Sequence, residues 1–337
     1  YIFNLRKNAK WSNGDDVTAE DFVWSWQRIL TASLGSQYPD MLYYLVGAAE
    51  YHTGEINDFS EVGVKALNKY TLKVSLKAPT PFFIGMLSHY STWPVHKDTV
   101  LEHGSIDDRN GQWTRPGNFV CNGAFNLKSW ELNNKIIVEK NPNYWDASNV
   151  KLNQIHYYPV SNVMTEDRMF RAGQLHVTST LPSQKCPIYI EENNPDLRID
   201  PYMGTYFYRL NTNNSVLKDV RVRKALAYSI DRKLLVDKVT KCGQIPAYSF
   251  TPPGSNGYQP ETSIAFDPEL AKQLLNEAGY SDNNAFPKLE ILFNTNEDHR
   301  KVALAIQQMW QQNLGISVEL VNQDWKLYLS RKMVGDF

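Results

Sequence analysis

The sequence predicts a mixed α/β protein that also carries α+β elements. Three patterns say so. "KLEILFN", "HRKVALAIQQMWQQNLG" and "ISVELV" follow one another as strand, helix and strand, which is a βαβ unit with parallel strands. "GAFNLKSWELNNKIIVEKNPNYW" reads instead as an antiparallel hairpin, with Asn133-Asn134 at its turn. Amphipathic helices with start and stop signals stand between these strands, and no internal repeat is present. At 337 residues, two or three domains are expected.

The first element is a short strand, Ile2, Phe3 and Leu5 with Asn4 and Arg6 between them. Asn13-Gly14 marks a turn, because both residues tolerate positive φ. Thr18 then stands where an N-cap belongs. Asp21 completes a capping box, and Val17 and Phe22 are placed to staple the helix entry. Phe22, Val23, Trp26, Ile29 and Leu30 give that helix one apolar face.

"TASLGSQYPDM" is a loop, and a second helix is expected over 42–51. "YTLKVSLKAP" alternates Leu72, Val74 and Leu76 with Thr71, Lys73, Ser75 and Lys77, as a half-buried strand does. "PTPFFIGML" restarts as a helix after proline, and "GSIDDRNGQWTRPGN" is a polar surface stretch. "VKLNQIHYYPV" is a strand, and 165–172 a short helix stopped by Gly173.

"TYFYRLNTN" is expected as an aromatic strand, with Tyr206, Tyr208 and Leu210 alternating with Phe207 and Arg209. Asp219 caps a long helix whose stripe is Val222, Leu226, Ile230 and Leu234. "AYSFTPPGSNGYQP" is a loop, and "PELAKQLLNEAGY" a helix closed by Gly279.

Composition excludes several functions. Net charge is −1, so nothing draws the chain to nucleic acid or an anionic membrane. No run of about 18 apolar residues exists, so no membrane span is expected. No signal peptide is visible. The chain opens without Met on strand residues and closes on "KMVGDF", so both ends are expected to be cut. Cys121, Cys186 and Cys242 show no CxxC spacing, and their odd number leaves at least one unpaired within the chain.

Catalytic signatures are missing too. No GxGxxG, phosphate-binding loop or GxSxG occurs, and the seven His lack metal-ligand spacing, as His52, His89, His96 and His103 illustrate. Asp15-Asp16 and Asp107-Asp108 read as solvated loop acids, and Arg221, Arg223 and Lys224 as a helix surface. Aromatics are 12% of the chain, including 19 Tyr and 9 Trp. Placed in loops and strand ends with Asn, they suit the enclosure of a polar-backboned ligand. The rival from another class is a carbohydrate-active enzyme, but no pair of carboxylates at strand ends recommends itself for that chemistry.

The blocks "LRKNAKWSNGDDVTAEDFVWSWQRI", "NGAFNLKSW", "NPNYWD", "DVRVRKALAYSIDRKLLVDKV", "PAYSFTPP", "AKQLLNEAGY" and "LFNTNEDHRKVALAIQQMWQQNLG" together resemble the periplasmic oligopeptide-binding proteins. Those are the substrate-binding subunits of peptide ABC importers. The resemblance spans the chain in family order. It implies a periplasmic binding protein-like fold, with two lobes joined by a hinge plus an extra domain: 1–96 the extra domain, 97–202 part of the first lobe, 203–337 part of the second.

It further implies a non-catalytic monomer in the periplasm, or lipid-anchored on the outer face of the membrane. Such a protein takes short peptides, needs no cofactor or metal, and delivers to membrane permease subunits. A nickel or haem receptor of the same fold is a further rival.

By position, the resemblance assigns Tyr38 and His89 to the cleft side of the extra domain, and Ser179 and Thr180 to the segment that binds peptide backbone. Tyr202, Phe207 and Arg209 fall on side-chain pockets. Lys241 lies beside a position used for the peptide C-terminus, and His299 on one that pairs with the carboxylate of a longer peptide.

Gly204 stands where many members carry a disulfide-bonded Cys, so that bridge is expected to be absent. Gly204 and the short "HVTSTLP" loop resemble the murein-tripeptide-binding branch. Arg209 replaces an acidic or neutral pocket residue, which argues against a preference for basic side chains. The family's acidic residue for the peptide amino group is expected beyond Phe337, and the first strands of the first lobe before Tyr1.

Overall fold

The computed structural model describes residues 1–254, 257–261, 263–280 and 286–337. Residues 255, 256 and 262, which fall in or beside the expected 247–260 loop, lie outside the described residues. The chain divides into two compact units, Tyr1–Pro159 and Val160–Phe337.

In the first unit, β1 (Ile2–Asn4) enters a small antiparallel sheet, and α1 (Ala19–Leu30) follows. The expected capping box is present: the Asp21 carboxylate accepts the Thr18 backbone N–H at 2.7 Å, and Val17 is buried. Asp16 is held well below the usual carboxylate range by hydrogen bonds from Lys10, Lys69 and Tyr70, so it ties the turn down and does not stand free in solvent.

The expected helix over 42–51 is shorter. Residues Pro39–Leu42 form a 3₁₀ turn, and α2 (Ala48–Thr53) starts only after Gly47 at φ 68°. The 3₁₀ turn has already ended at Tyr43, and the left-handed Gly47 keeps residues before Ala48 out of α2.

β2 (Val64–Asn68) and β3 (Thr71–Val74) complete a sheet of order β1-β3-β2. Leu72 and Val74 face the core as their alternation required, and Leu76, past the end of β3 in an isolated bridge to Leu45, packs against the same core. α3 (Phe83–Met86) is a single turn, and α4 (Lys97–Glu102) follows. Trp26, Leu30, Leu42, Leu45, Val62, Leu72, Val74 and Phe83 make this core. β4 (Phe125–Glu131) and β5 (Lys135–Lys140) form the expected hairpin, with Asn133 at φ 58°, and β6 (Gln154–Tyr157) adds a third antiparallel strand.

In the second unit, α5 (Val163–Arg171) is N-capped by Asn162, and α6 (Cys186–Glu191) follows an irregular stretch. The expected strand at 205–210 is not formed. No described segment pairs with it in a backbone ladder, and a strand exists only as part of one. The alternation survives only in part: Tyr208 and Leu210 pack on the core and Phe207 is exposed, but Tyr206, expected on the face of Tyr208, is exposed as well.

The long helix expected from Asp219 is two. α7 (Val220–Tyr228) is capped by Asp219, then α8 (Arg232–Leu235) by Asp231, whose carboxylate accepts the Leu234 N–H, and one wider turn (Val236–Thr240) continues it. The break is stabilised from outside the helix. Trp310 Nε1 donates to Leu226 O at 2.9 Å, Asn313 Nδ2 to Ser229 O at 2.8 Å, and Arg232 to Ala227 O at 3.0 Å. These donors satisfy carbonyls that a continuous helix would have used itself.

α9 (Pro268–Glu277) ends at Gly279 with φ 94°, as read from the sequence. β7 (Leu289–Asn294), α10 (Glu297–Leu314) and β8 (Val318–Gln323) form the βαβ unit, its strands parallel, and α11 (Trp325–Val334) follows. Val302, Ala303, Ile306 and Trp310 of α10 pack with Leu289, Ile291 and Phe293 of β7.

A disulfide joins Cys186 to Cys242, and Cys121 is free. The bridge expected to be missing at Gly204 is thus not the only one open to this chain.

Candidate functional site

Tyr38 and His89 come together in the first unit. Tyr38 precedes Pro39, which biases it away from helix. Its ring meets His89 edge-on at 5.1 Å and Tyr90 at 5.8 Å, while His89 stacks on Tyr90 at 4.3 Å. His89 caps the 3₁₀ turn Tyr90–Thr92: its Nδ1 accepts the Ser91 N–H, so the neutral ring carries its proton on Nε2. The Tyr38 phenol beside it holds Tyr90 above its ordinary range.

Beneath these rings is a cavity of about 240 Å³ lined by Ser25, Arg28, Tyr38, Tyr90, Trp93 and Val95. Ser25 Oγ is fixed in its floor by the backbone of Val95. Burial pushes the Arg28 guanidinium down, against the opposing charges of Asp108 and Asp107. The sequence reading missed Tyr90, Trp93 and Arg28. The aromatic density of "HYSTWP" was the available signal.

In the second unit, Ser179 and Thr180 are exposed, but Ser179 is anchored. Its N–H donates to Glu166 Oε1 at 2.6 Å and its hydroxyl to the same oxygen at 3.1 Å, and Glu166 is only 8% exposed. The backbone groups of Val177, Thr178, Thr180 and Leu181 make no hydrogen bond among the described residues.

Tyr202 is 90% exposed and lies over Gly204, where an added Cβ would come 2.4 Å from its ring. Phe207 meets Phe250 edge-on at 4.9 Å, with Arg209 5.9 Å over its ring, and the Thr205 hydroxyl donates to Phe250 O at 2.7 Å. Lys241 ends the wider turn at φ 59°, immediately before the disulfide-bonded Cys242.

On the opposite side of the 205–210 stretch, Tyr206 lies 5.2 Å from His299. His299 Nδ1 donates to Asn294 Oδ1 at 2.7 Å, which leaves Nε2 as the free acceptor of the neutral ring. Burial raises Tyr206 to about 12 and lowers His299 below 6.5. The folded state therefore binds fewer protons than the unfolded chain near pH 6.5. The resulting stability is complete above pH 6.5 and is lost as pH falls through the folded value. Proton NMR of the His299 ring should give a titration midpoint below 6.5, and a higher midpoint would contradict this environment.

Asp167, 3% exposed, is another residue the sequence reading missed. Burial works to raise it, but Lys185, Arg171 and the Tyr189 hydroxyl outweigh burial and keep it ionised below the usual range. No group of three or more His, Cys, Asp or Glu converges as a metal cradle among the described residues. No described helix is long and apolar enough to cross a membrane.

A mixed α/β chain with small sheets and aromatic walls, matched over its length by periplasmic binding protein structures, has the fold of a solute-binding protein. Residues 1–337 match the family described as bacterial extracellular solute-binding proteins, family 5 Middle, and the chain belongs to that family.

It is 38% identical over 351 residues to the periplasmic oligopeptide-binding protein OppA of Salmonella typhimurium, covering 100% of this chain and 62% of that one. It is 36% identical to the periplasmic murein peptide-binding protein MppA of Escherichia coli, covering 100% of this chain and 63% of that one. The chain thus spans about 62% of the length of the first of these relatives. Among solved structures it resembles Haemophilus influenzae OppA in complex with RPPGFSPFR, with TM-score 0.89 and 36% identity, over 100% of this chain and 66% of that one. It also resembles the murein tripeptide binding protein MppA of Escherichia coli, with TM-score 0.91 and 34% identity, over 100% and 66% of the two chains.

Proposed function

We propose that the protein is the substrate-binding component of a peptide ABC importer. It captures short peptides outside the cytoplasmic membrane and hands them to permease subunits. The observation that carries the reading is the exposed stretch 177–181, whose backbone groups are unpaired beside an anchored Ser179. Free backbone N–H and C=O groups on an ordered stretch are what an extended peptide pairs with when it adds as a strand. That mode reads the peptide backbone and leaves side chains to roomy pockets, so broad sequence tolerance follows.

In this reading the three-part division at 96 and 202 stands, Tyr38, His89, Tyr202, Phe207 and Arg209 meet ligand side chains, and Lys241 and His299 meet carboxylates. The protein cleaves nothing. The murein tripeptide is the second candidate ligand, favoured by Gly204 and by the 36% identity to MppA.

Calorimetric titration of the whole gene product, not of residues 1–337 alone, with an L-tripeptide and with the murein tripeptide tests the reading; residues 1–337 by themselves are expected to bind poorly. For the whole gene product, one-to-one binding at about micromolar Kd or tighter is expected for at least one of these peptides. No binding of any peptide, or release of cleaved peptide beyond stoichiometric amounts, would overturn it.

Tyr38→Ala and Phe207→Ala should change peptide preference while lowering stability by less than about 1 kcal/mol, because neither side chain is a core position. Tyr38 is 39% and Phe207 45% exposed, so little apolar area is lost from the core. A melting-point drop of the size seen for core aromatics would place them in the core instead.

A further inference from the structure

We propose that Glu166 is a positioning residue that holds stretch 177–181 in place for the ligand backbone, an inference that rests on the peptide-binding reading above. α5 carries two consecutive buried carboxylates that diverge. Glu166 takes the Ser179 N–H and hydroxyl, while Asp167 takes Lys185, Arg171 and Tyr189. One helical turn therefore grips both ends of 179–185.

A third grip lies between them. Ser183 Oγ donates to Asp298 at 2.9 Å and receives Lys301 Nζ at 3.0 Å, at the first turns of α10. The stretch has no helix or strand of its own before α6, yet it is fixed by charged side chains at three points. Thr180 and Leu181 lie between the first two grips with their backbone groups unused.

Ordering a flexible segment on binding costs conformational entropy, and a segment already ordered does not incur that cost. Glu166 suits the task because one carboxylate accepts both donors of Ser179, and charge-assisted bonds of this kind are the stronger ones. Its burial keeps water from competing for the Ser179 N–H. Glu166 itself makes no ligand contact in this scheme. It acts through Ser179.

Two measurements on the protein test this, using Glu166→Ala and the isosteric Glu166→Gln. Without ligand, amide exchange at Ser179 should be slow in wild type, about 100-fold faster in Glu166→Ala and intermediate in Glu166→Gln. With an L-tripeptide, Glu166→Ala should bind about ten-fold more weakly, with the loss in the dissociation rate. That loss should disappear when the ligand is N-methylated at the amide that pairs with the stretch. A general loss of fold would instead weaken methylated and unmethylated ligands alike.

Unchanged exchange at Ser179 in Glu166→Ala overturns the positioning role. So does an affinity loss that ignores N-methylation. If wild type binds no peptide, the functional reading fails, and the exchange data alone then decide whether Glu166 orders the stretch.

Discussion

Trp26→Ala should destabilise the first unit by about 3–5 kcal/mol, the largest effect expected of a single substitution there. Trp26 is 2% exposed and packs in the core with Leu30, Leu42, Leu45 and Val74. Truncation removes an indole's worth of apolar contact and leaves a cavity that a core at crystal-like density closes only in part.

It also strands a polar group. Trp26 Nε1 donates to Thr92 O at 2.8 Å, so the variant leaves that carbonyl buried without its partner. Thr92 belongs to the turn that carries Tyr90, so loss of this bond should also loosen the aromatic cavity. Trp26→Phe separates the two contributions: it keeps most of the packing and loses the bond, and should cost clearly less than alanine. Urea denaturation followed on the first unit is the measurement. A loss under about 1 kcal/mol for Trp26→Ala would mean the indole is not a core group.

Removing the disulfide should have a comparable effect on the second unit. Cys186 and Cys242 are 56 residues apart, and closing a loop of that length restricts the unfolded chain by about 4 kcal/mol on the chain-entropy relation. The loop contains Tyr202, Phe207 and Arg209 and ends beside Lys241, so on the proposed peptide-binding reading the same change should reduce ligand affinity. The double variant Cys186→Ser with Cys242→Ser avoids leaving a reactive partner thiol. Wild type in reductant should unfold at the same urea concentration as that variant, well below oxidised wild type. Stability that does not respond to reductant would show that the bridge contributes nothing.

The elements legible in the sequence are those specified by residues near one another. Thr18 and Asp21 start α1, Asp219 starts α7, Gly279 ends α9 and Asn133 turns the β4–β5 hairpin, each through contacts within a few residues. The βαβ unit was legible because its period changes from two to 3.6 and back over adjacent segments. The family was legible because long blocks of the chain carry its pattern in order.

Tertiary structure decided the rest, because the deciding partners are distant in sequence. The stripe from Val222 to Leu234 fits one helix, but Trp310 and Asn313, more than eighty residues away, supply the donors that stabilise its break. The 205–210 alternation is that of a strand, yet pairing needs a neighbour that alternation alone cannot provide. Three cysteines permit three pairings, and only the fold brings Cys186 to Cys242.

The candidate site divides the same way. Residue types at Tyr38, His89 and Phe207 could be read from the chain, while their partners Tyr90 and Phe250, and the anchor Glu166, could not. A buried Glu and a solvated one are the same letter, and only burial beside the Ser179 N–H and hydroxyl turns Glu166 from a surface charge into a fixed acceptor.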